Sequence, residues 1–311
     1  MNLDLPQEIE DLRATVREFA EEVVKPQAEK FDESEEFPLE IIREMGKMGL
    51  FGLPFPEEYG GMGGDLLTLC VAIEELARVD SSVAITLEAG VGLGAMPFYL
   101  FGTEEQKQQW LVPMAKGEIL GAFGLTEPGG GSDAESASTT ARIDGDEWVI
   151  NGSKSFITNS GTEMSKVVTV TAVTGEKDGK KEITSIFVPH GTPGFSVGRS
   201  YRKMGWHASD TRELSFSDCR VPLENQVGER GRGFHNFLTI LDDGRIAIAA
   251  LAVGLAQGCL DESVKYAKER SAFGKPIGAF QGIQFKLADM AMKTKLARNQ
   301  VYRAAWLRQE G

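Results

Sequence analysis

The chain is short of cysteine, histidine and net positive charge, and each shortage removes a class of function. Three cysteines in 311 residues, Cys70, Cys219 and Cys259, are too few and too scattered for a disulfide framework. Three histidines, His190, His207 and His235, stand at no ligand spacing, so no metal site is expected. Lys and Arg number 33 against 46 Asp and Glu, for a net charge of -13 and a pI near 4.9. That balance reads as a solvated acidic surface and excludes general nucleic-acid affinity; any anionic ligand needs local cations or helix N-termini. No GxGxxG follows a strand and opens a helix, so a doubly wound nucleotide fold is not supported. The longest apolar run, taken as residues 246–256, is too short to span a bilayer. Asp4, Glu8, Glu10 and Asp11, with no apolar h-region, match neither a signal nor a transit peptide, so the expectation is cytoplasmic, with no membrane.

What is present is ordinary for a soluble chain, 41% hydrophobic and 25% charged, and long enough for one large domain or two to three smaller ones. Ile9, Leu12, Val16, Phe19 and Val23 recur on one helical face, which Lys25-Pro26 is expected to end. Pro38 and Gly49 bracket a second helix. A Gly/Pro-rich loop over 53–64, with Tyr59-Gly60-Gly61 at its centre, reads as structural. Apolar helices follow at 66–79 and 83–101, and Thr103 with Gln106 forms a capping box for the next. From about Gly121 the composition becomes β-branched and aromatic, with strands expected at 167–173, 183–188, 195–197 and 213–216 and a turn over 175–179. Helix returns over 237–270, breaks at Phe273-Gly274-Lys275-Pro276, and resumes over 280–307 with Lys286, Lys293, Lys295 and Arg298 on its polar side. The fold class expected is α+β multidomain: an N-terminal α-helical domain (1–120), a middle antiparallel β-barrel or sandwich (121–232) and a C-terminal α-helical domain (233–311), read as incomplete.

The chain is organised around residues 122–160. Gly129-Gly130-Gly131 after Pro128 lets backbone approach a bulky ligand and leaves N–H groups free for an anion such as a pyrophosphate. Asn151-Gly152 reads as a two-residue hairpin turn that sets Thr158 beside this cradle. Taken singly, Thr158 and Phe156 are a strand threonine and a core aromatic.

Gly124-Leu125-Thr126-Glu127-Pro128-Gly129 with Gly131-Ser132-Asp133 resembles the first signature of the acyl-CoA dehydrogenase family, and Phe156-Ile157-Thr158 falls where that family keeps an aromatic-x-Thr flavin contact. Pro56 to Gly61 matches its Pro-Glu-x-Tyr-Gly-Gly loop, and the resemblance runs from about Leu3 to the end. It implies FAD along Phe123, Leu125, Thr126, Gly131 and Ser132 and along Phe156, Ile157 and Thr158. Main-chain groups at Leu125 and Thr126 would meet the pyrimidine edge, Ser132 the pyrophosphate, and the Thr158 hydroxyl flavin N5. Arg270 and Gln281, flanking Phe273-Gly274, match positions that reach the FAD of a neighbouring subunit, hence a homo-oligomer, a tetramer in the family. Asp242-Asp243-Gly244-Arg245 resembles the CoA-contacting segment, with Arg245 the cation and Ser132 also on the substrate side.

The resemblance implies FAD-dependent α,β-dehydrogenation of an acyl-CoA thioester, in fatty-acid or branched-chain amino-acid catabolism, with electrons passing to an electron-transfer flavoprotein. An acyl-CoA oxidase-like flavoenzyme and a non-catalytic flavin- or acyl-CoA-binding fragment are the alternatives. Proton removal at the α-carbon needs a positioned carboxylate. The family's usual glutamate lies in a segment beyond Gly311, the minority position for it is occupied by Gly244, and Glu127 reads as a structural carboxylate. The chain is therefore expected to lack final helices and to be inactive as it stands.

Overall fold

The computed structural model describes residues 5–310. Two compact units divide the chain, one formed by residues 31–64 and 86–244, the other by the described residues of 1–30, 65–85 and 245–311.

Helix α1 (Gln7–Phe19) buries Ile9, Val16 and Phe19 as its periodicity requires. It does not end at Pro26 but runs through a π turn (Ala20–Val24) into α2 (Lys25–Ser34). The wide turn breaks the i→i−4 ladder where Pro26 has no N–H to give, so the proline is accommodated and not terminal. Helix α3 (Leu39–Lys47) lies between Pro38 at its N-cap and left-handed Gly49 (φ 75°). In the following loop the Tyr59 hydroxyl donates to Glu104 at 3.0 Å, and a Cβ on Gly61 would collide with the Phe55 carbonyl. That loop is structural, as expected.

Asp65 caps α4 (Leu66–Ala77), its Oδ1 accepting from Thr68 N at 2.7 Å. Then α5 (Ser81–Glu88), a π turn (Ala89–Ala95) and α6 (Met96–Phe101) form one continuous helix. This stretch, and not 246–256, is the longest apolar one: by length and composition it could cross a membrane, but 72% of its apolar window is buried inside the protein, as in a core helix. The capping box of Thr103 and Gln106 opens α7 (Glu104–Gln106), and α8 (Val112–Ala115) follows.

The sheet comprises β1 (Leu120–Gly124), β2 (Thr140–Asp144), β3 (Glu147–Thr158), β4 (Ser165–Lys177), β5 (Lys180–Pro189), β6 (Phe195–Ser200), β7 (Thr211–Pro222) and β8 (Gln226–Val227). Its order is β6-β7-β3-β2-β4-β5-β8, with β1 on β4. Most pairs are antiparallel, as expected, but β1 and β2 both run parallel to β4. Trp148, Ile150, Val168, Val170, Ile186, Val188 and Leu214 fill its core. The Asn151-Gly152 hairpin does not form. Both residues lie inside β3, where the register against β7 slips between Ile150 and Gly152, and the turn from β2 to β3 falls at Gly145-Asp146. Asn151 is held in that bulge by Asp218, whose N–H it accepts at 2.8 Å, and Gly152 (φ 147°) has Thr139 packed where a side chain would stand. The β4–β5 turn is likewise tighter than expected, at Asp178-Gly179 with φ of 53° and 73°, the signature of a type I′ turn.

Helix α9 (Gly233–Glu269), a small hairpin of β9 (Ser271–Ala272) and β10 (Lys275–Pro276), and α10 (Gln281–Glu310) complete the chain. Lys286, Lys293 and Lys295 are exposed as expected. Arg298 is not: it turns inward to Glu74 at 2.6 Å and Gln257 at 2.8 Å, because Glu74, only 4% exposed, needs a cation. Glu75 is likewise held by Arg17 at 2.7 Å, in the same polar cavity of about 500 Å³.

Helix α9 crosses α4 at Gly254, where a Cβ would collide with the Glu74 carbonyl and lie 2.8 Å from Ala77 Cβ. Alanine normally improves a helix; here Gly254→Ala is expected to cost about 1–3 kcal/mol by overpacking. Gly282→Ala, with nothing within 4 Å, should leave stability unchanged or raise it by under about 1 kcal/mol. Urea denaturation of both variants checks the sign: equal shifts would mean that the crossing is looser than described.

Candidate functional site

One ion pair fixes the local chain path. Lys154, fully buried in β3, donates to Glu127 Oε1 at 2.7 Å, to the Leu125 carbonyl at 3.3 Å and to Thr171 Oγ1 at 3.2 Å. Glu127 also accepts from Ser138 N (2.7 Å), Ser138 Oγ (2.6 Å) and Thr139 N (3.1 Å). Burial opposes its charge, but these donors, Lys154 first, hold its carboxyl down at about 2. Burial lowers the Lys154 pKa and Glu127 works against that. Glu127 is thus the structural carboxylate that the sequence suggested.

The Glu-Pro-Gly loop closes on itself, with Glu127 N donating to the Gly130 carbonyl at 3.0 Å and Gly130 N to the Glu127 carbonyl at 3.1 Å. The Gly130 N–H is therefore not free for an anion, which corrects the cradle in that detail. The carbonyls beside it are also engaged, Leu125 by Lys154 and Thr126 by Ser155 N at 2.8 Å.

Strand β3 slips register again between Lys154 and Ile157, where Phe156 takes φ 60°. Strict alternation would send Ile157 to the opposite face from its neighbours; the bulge re-aims the backbone. As a result Phe156, Ile157 and Thr158 all line one cavity of about 290 Å³, together with Phe123, Leu125, Thr126 and Gly131. The cavity is completed by Ala89 and Leu93 of the π turn and Leu241 of α9. Phe123 stacks on Phe237 at 3.8 Å, and β1 is pressed so closely to the π turn that a Cβ on Gly121 would sit 3.0 Å from the Gly94 carbonyl. Beyond Thr158, left-handed Asn159 (φ 58°) donates Nδ2 to the Thr86 carbonyl at 3.1 Å, while its buried Oδ1 has no partner among the described residues.

Other expected residues lie elsewhere. Ser132 is exposed and outside the cavity lining. Phe156 is 66% exposed and packs against Tyr201 at 5.1 Å. Asp242-Asp243-Gly244-Arg245 falls in the third turn of α9, which begins at Gly233 and not, as expected, at 237; Gly244 is buried, and Asp242 and Arg245 are exposed. Arg270, Phe273 and Gln281 belong to the other compact unit and are exposed, Arg270 between α9 and β9, Phe273 at the β9–β10 turn and Gln281 at the start of α10.

Sequence reasoning missed Lys154, Asn159, Ala89, Leu93, Leu241 and, above all, Glu88. This glutamate ends α5, is 1% exposed, and has no hydrogen bond or ion pair among the described residues. Burial alone pushes its carboxyl up to about 8. It is the one charged residue between Asp80 and Glu104, a signal available in the sequence.

Three family models match in tandem: the acyl-CoA dehydrogenase N-terminal domain over residues 6–118, the middle domain over 122–219 and the C-terminal domain over 231–311. The C-terminal domain is thus present, and the expectation of missing helices, with the inactivity inferred from it, is not supported. The chain is 52% identical to "Probable acyl-CoA dehydrogenase YngJ" of Bacillus subtilis (strain 168), over 99% of this chain and 81% of that protein. It is similar to the structure of butyryl-CoA dehydrogenase from Megasphaera elsdenii, with TM-score 0.96 and 45% identity, covering 100% of this chain and 82% of that one. An acyl-CoA dehydrogenase complexed with FAD from Bacillus anthracis matches with TM-score 0.90 and 39% identity, over 96% of this chain and 51% of that one.

Lys154→Met leaves the Glu127 carboxylate buried without its cation and is expected to cost roughly 3–5 kcal/mol; adding Glu127→Gln should restore part of that loss. Denaturation of the single and double variants decides it, and additive losses would show that the two groups are not coupled. For Glu88 the sign is opposite to that of an ion-paired acid. Its pKa is raised in the fold from the ordinary 4.5 to about 8, so its contribution is intact below about pH 4.5 and is lost as pH rises toward 8, by roughly 3–5 kcal/mol. Glu88→Gln should flatten that part of the stability–pH curve; an unchanged slope would mean that Glu88 does not carry it.

Proposed function

Since this chain belongs to the acyl-CoA dehydrogenase family, we propose that it binds FAD and a short acyl-CoA and performs α,β-dehydrogenation of the thioester. The observation that carries this reading is the convergence on one cavity of seven residues from two separate stretches, Phe123, Leu125, Thr126 and Gly131 with Phe156, Ile157 and Thr158. The donor set fits a flavin: apolar walls for a planar ring, a hydroxyl at Thr158, and at Gly131 an open position where a Cβ would meet only Thr126, at 3.7 Å.

Bound there, FAD supplies a hydride acceptor. The chain's own residues do the rest. The Lys154–Glu127 pair holds the loop that carries Leu125 and Thr126, Thr158 offers a hydrogen bond to the cofactor, and Phe123, Ile157, Leu93 and Leu241 keep water from the reacting carbons. Among the described residues the cavity lining holds no carboxylate, and Glu127 is engaged by Lys154, so neither is assigned as the base. Arg245 with Asp242 and Asp243 serves the CoA moiety, and Ser132 meets the cofactor pyrophosphate and the substrate. Arg270, Phe273 and Gln281 complete the FAD site of a second copy in a homotetramer. An electron-transfer flavoprotein takes the electrons, and the setting is cytoplasmic. Domain limits at 1–120, 121–232 and 233–311 suit this reading.

Titration with FAD should quench its fluorescence, and butyryl-CoA should then perturb the flavin absorption bands; neither signal requires turnover. Thr158→Ala is expected to weaken FAD binding or slow anaerobic flavin reduction by about fivefold to tenfold, the value of one lost hydrogen bond. Arg245→Ala should weaken butyryl-CoA binding by roughly tenfold or more, with little effect on a thioester lacking the nucleotide. Normal FAD content and reduction in the first variant, or equal effects on both thioesters in the second, would remove those residues from the site.

A further inference from the structure

Two of the cavity walls come from segments far apart in sequence, the end of β3 with Phe156, Ile157 and Thr158 and the π turn with Ala89 and Leu93. A side chain outside the cavity lining joins them. Asn159, the residue after Thr158, donates Nδ2 to the Thr86 carbonyl at 3.1 Å, and Thr86 lies in α5, one turn before Ala89. The Asn159 main chain is held as well: its N–H donates to the Asp210 carbonyl at 3.2 Å and its carbonyl accepts from Ser165 Oγ at 2.6 Å. The Asp210 carboxylate accepts from Gly161 N at 2.7 Å, so the corner after β3 is pinned both beside β7 and on α5. Ile157 and Thr158 are thereby clamped between two left-handed residues, Phe156 (φ 60°) and Asn159 (φ 58°). Where this corner is fixed decides where the Thr158 hydroxyl stands.

Backbone conformation alone does not account for an asparagine here, because glycine fills a left-handed position without strain. Asn159 is completely buried. Its partner on α5 is a carbonyl, which only the amide nitrogen can meet, and Oδ1 is left without a partner among the described residues. A buried acceptor with no donor is destabilising, and a glycine would avoid that loss. What the asparagine side chain adds is the tie to α5.

We propose that Asn159 is a positioning residue for the cofactor: it sets the gap between the Thr158 end of β3 and the π-turn wall, and so holds the Thr158 hydroxyl where a bound flavin ring meets it. This rests on the FAD reading above. Asn159 acts through Thr158 and touches neither cofactor nor substrate.

The test is FAD binding by the full chain, read from the quenching of flavin fluorescence, in a double-mutant cycle of Asn159→Gly with Thr158→Ala. Glycine keeps the left-handed backbone and removes the tie. Asn159→Gly is expected to weaken FAD binding about fivefold, the scale of one hydrogen bond misplaced. In the Thr158→Ala background it should change binding by less than about twofold, because the group it positions is gone. The flavin absorption bands should move in the same direction in both single variants and no further in the double one. Melting of the FAD-free chain, by contrast, should be lowered by Asn159→Gly equally in both backgrounds. If the glycine variant does not fold, Asn159→Asp, which keeps the shape and the left-handed backbone but not the donor, carries the same cycle. Unchanged FAD affinity on losing the tie, or an equal loss of affinity with and without the Thr158 hydroxyl, overturns the proposal and leaves Asn159 a purely structural residue. If the wild-type chain takes up no FAD, the FAD reading itself falls, and the proposal with it.

Discussion

The contact between Lys154 and Glu127 is the constraint from which the site follows. A charged amine with no exposure in the middle of a sheet has to be neutralised within hydrogen-bond reach, and the partner comes from the loop after β1. That requirement draws the loop onto β3, spends the Leu125 carbonyl on the same ammonium, and brings the backbone after β1 alongside the bulge at Phe156. The cavity lies where those two irregular segments meet. Its far walls come from the first third of α9 and from the π turn, which lies directly against β1 because glycines at 94 and 121 leave room for the close approach.

Much of this was legible, for identifiable reasons. Thr103 and Gln106 formed the capping box because both halves of that motif are local. Glu127 was read as structural, and the Phe156–Thr158 segment fell beside the Gly-rich loop as the family spacing implied. The failures share a cause: a local signal was overridden by a neighbour distant in sequence. Asn151-Gly152 has the composition of a hairpin turn, yet β7 pairs along the whole of β3 and Asp218 takes up the asparagine, so the glycine serves as a bulge. Pro26 has the composition of a terminator, and one extra residue per turn lets the helix pass it. Arg298 looks solvent-facing by helical periodicity; Glu74 turns it inward.

Glu88 and Lys154 were missed although their sequence settings are unusual. A lone acid in an apolar, glycine-rich helix and a lysine between two serines in a strand are each improbable on composition. Neither has a local partner to explain it. What such residues bind depends on which segments fold against them, and that information resides in the register of β3 and the crossing of α9, not in short-range pattern.

The burial of Lys154 has a chemical consequence distinct from its part in the fold. Thioesters acylate free amines, and an enzyme that concentrates them beside its own loops puts any neighbouring lysine at risk of self-modification. Here Lys154, which ties the cavity loop to β3, is sealed from solvent and paired with a carboxylate at 2.7 Å, so it lacks the approach path that acyl transfer needs. The pairing that shapes the loop also shields this lysine from the compounds the enzyme handles.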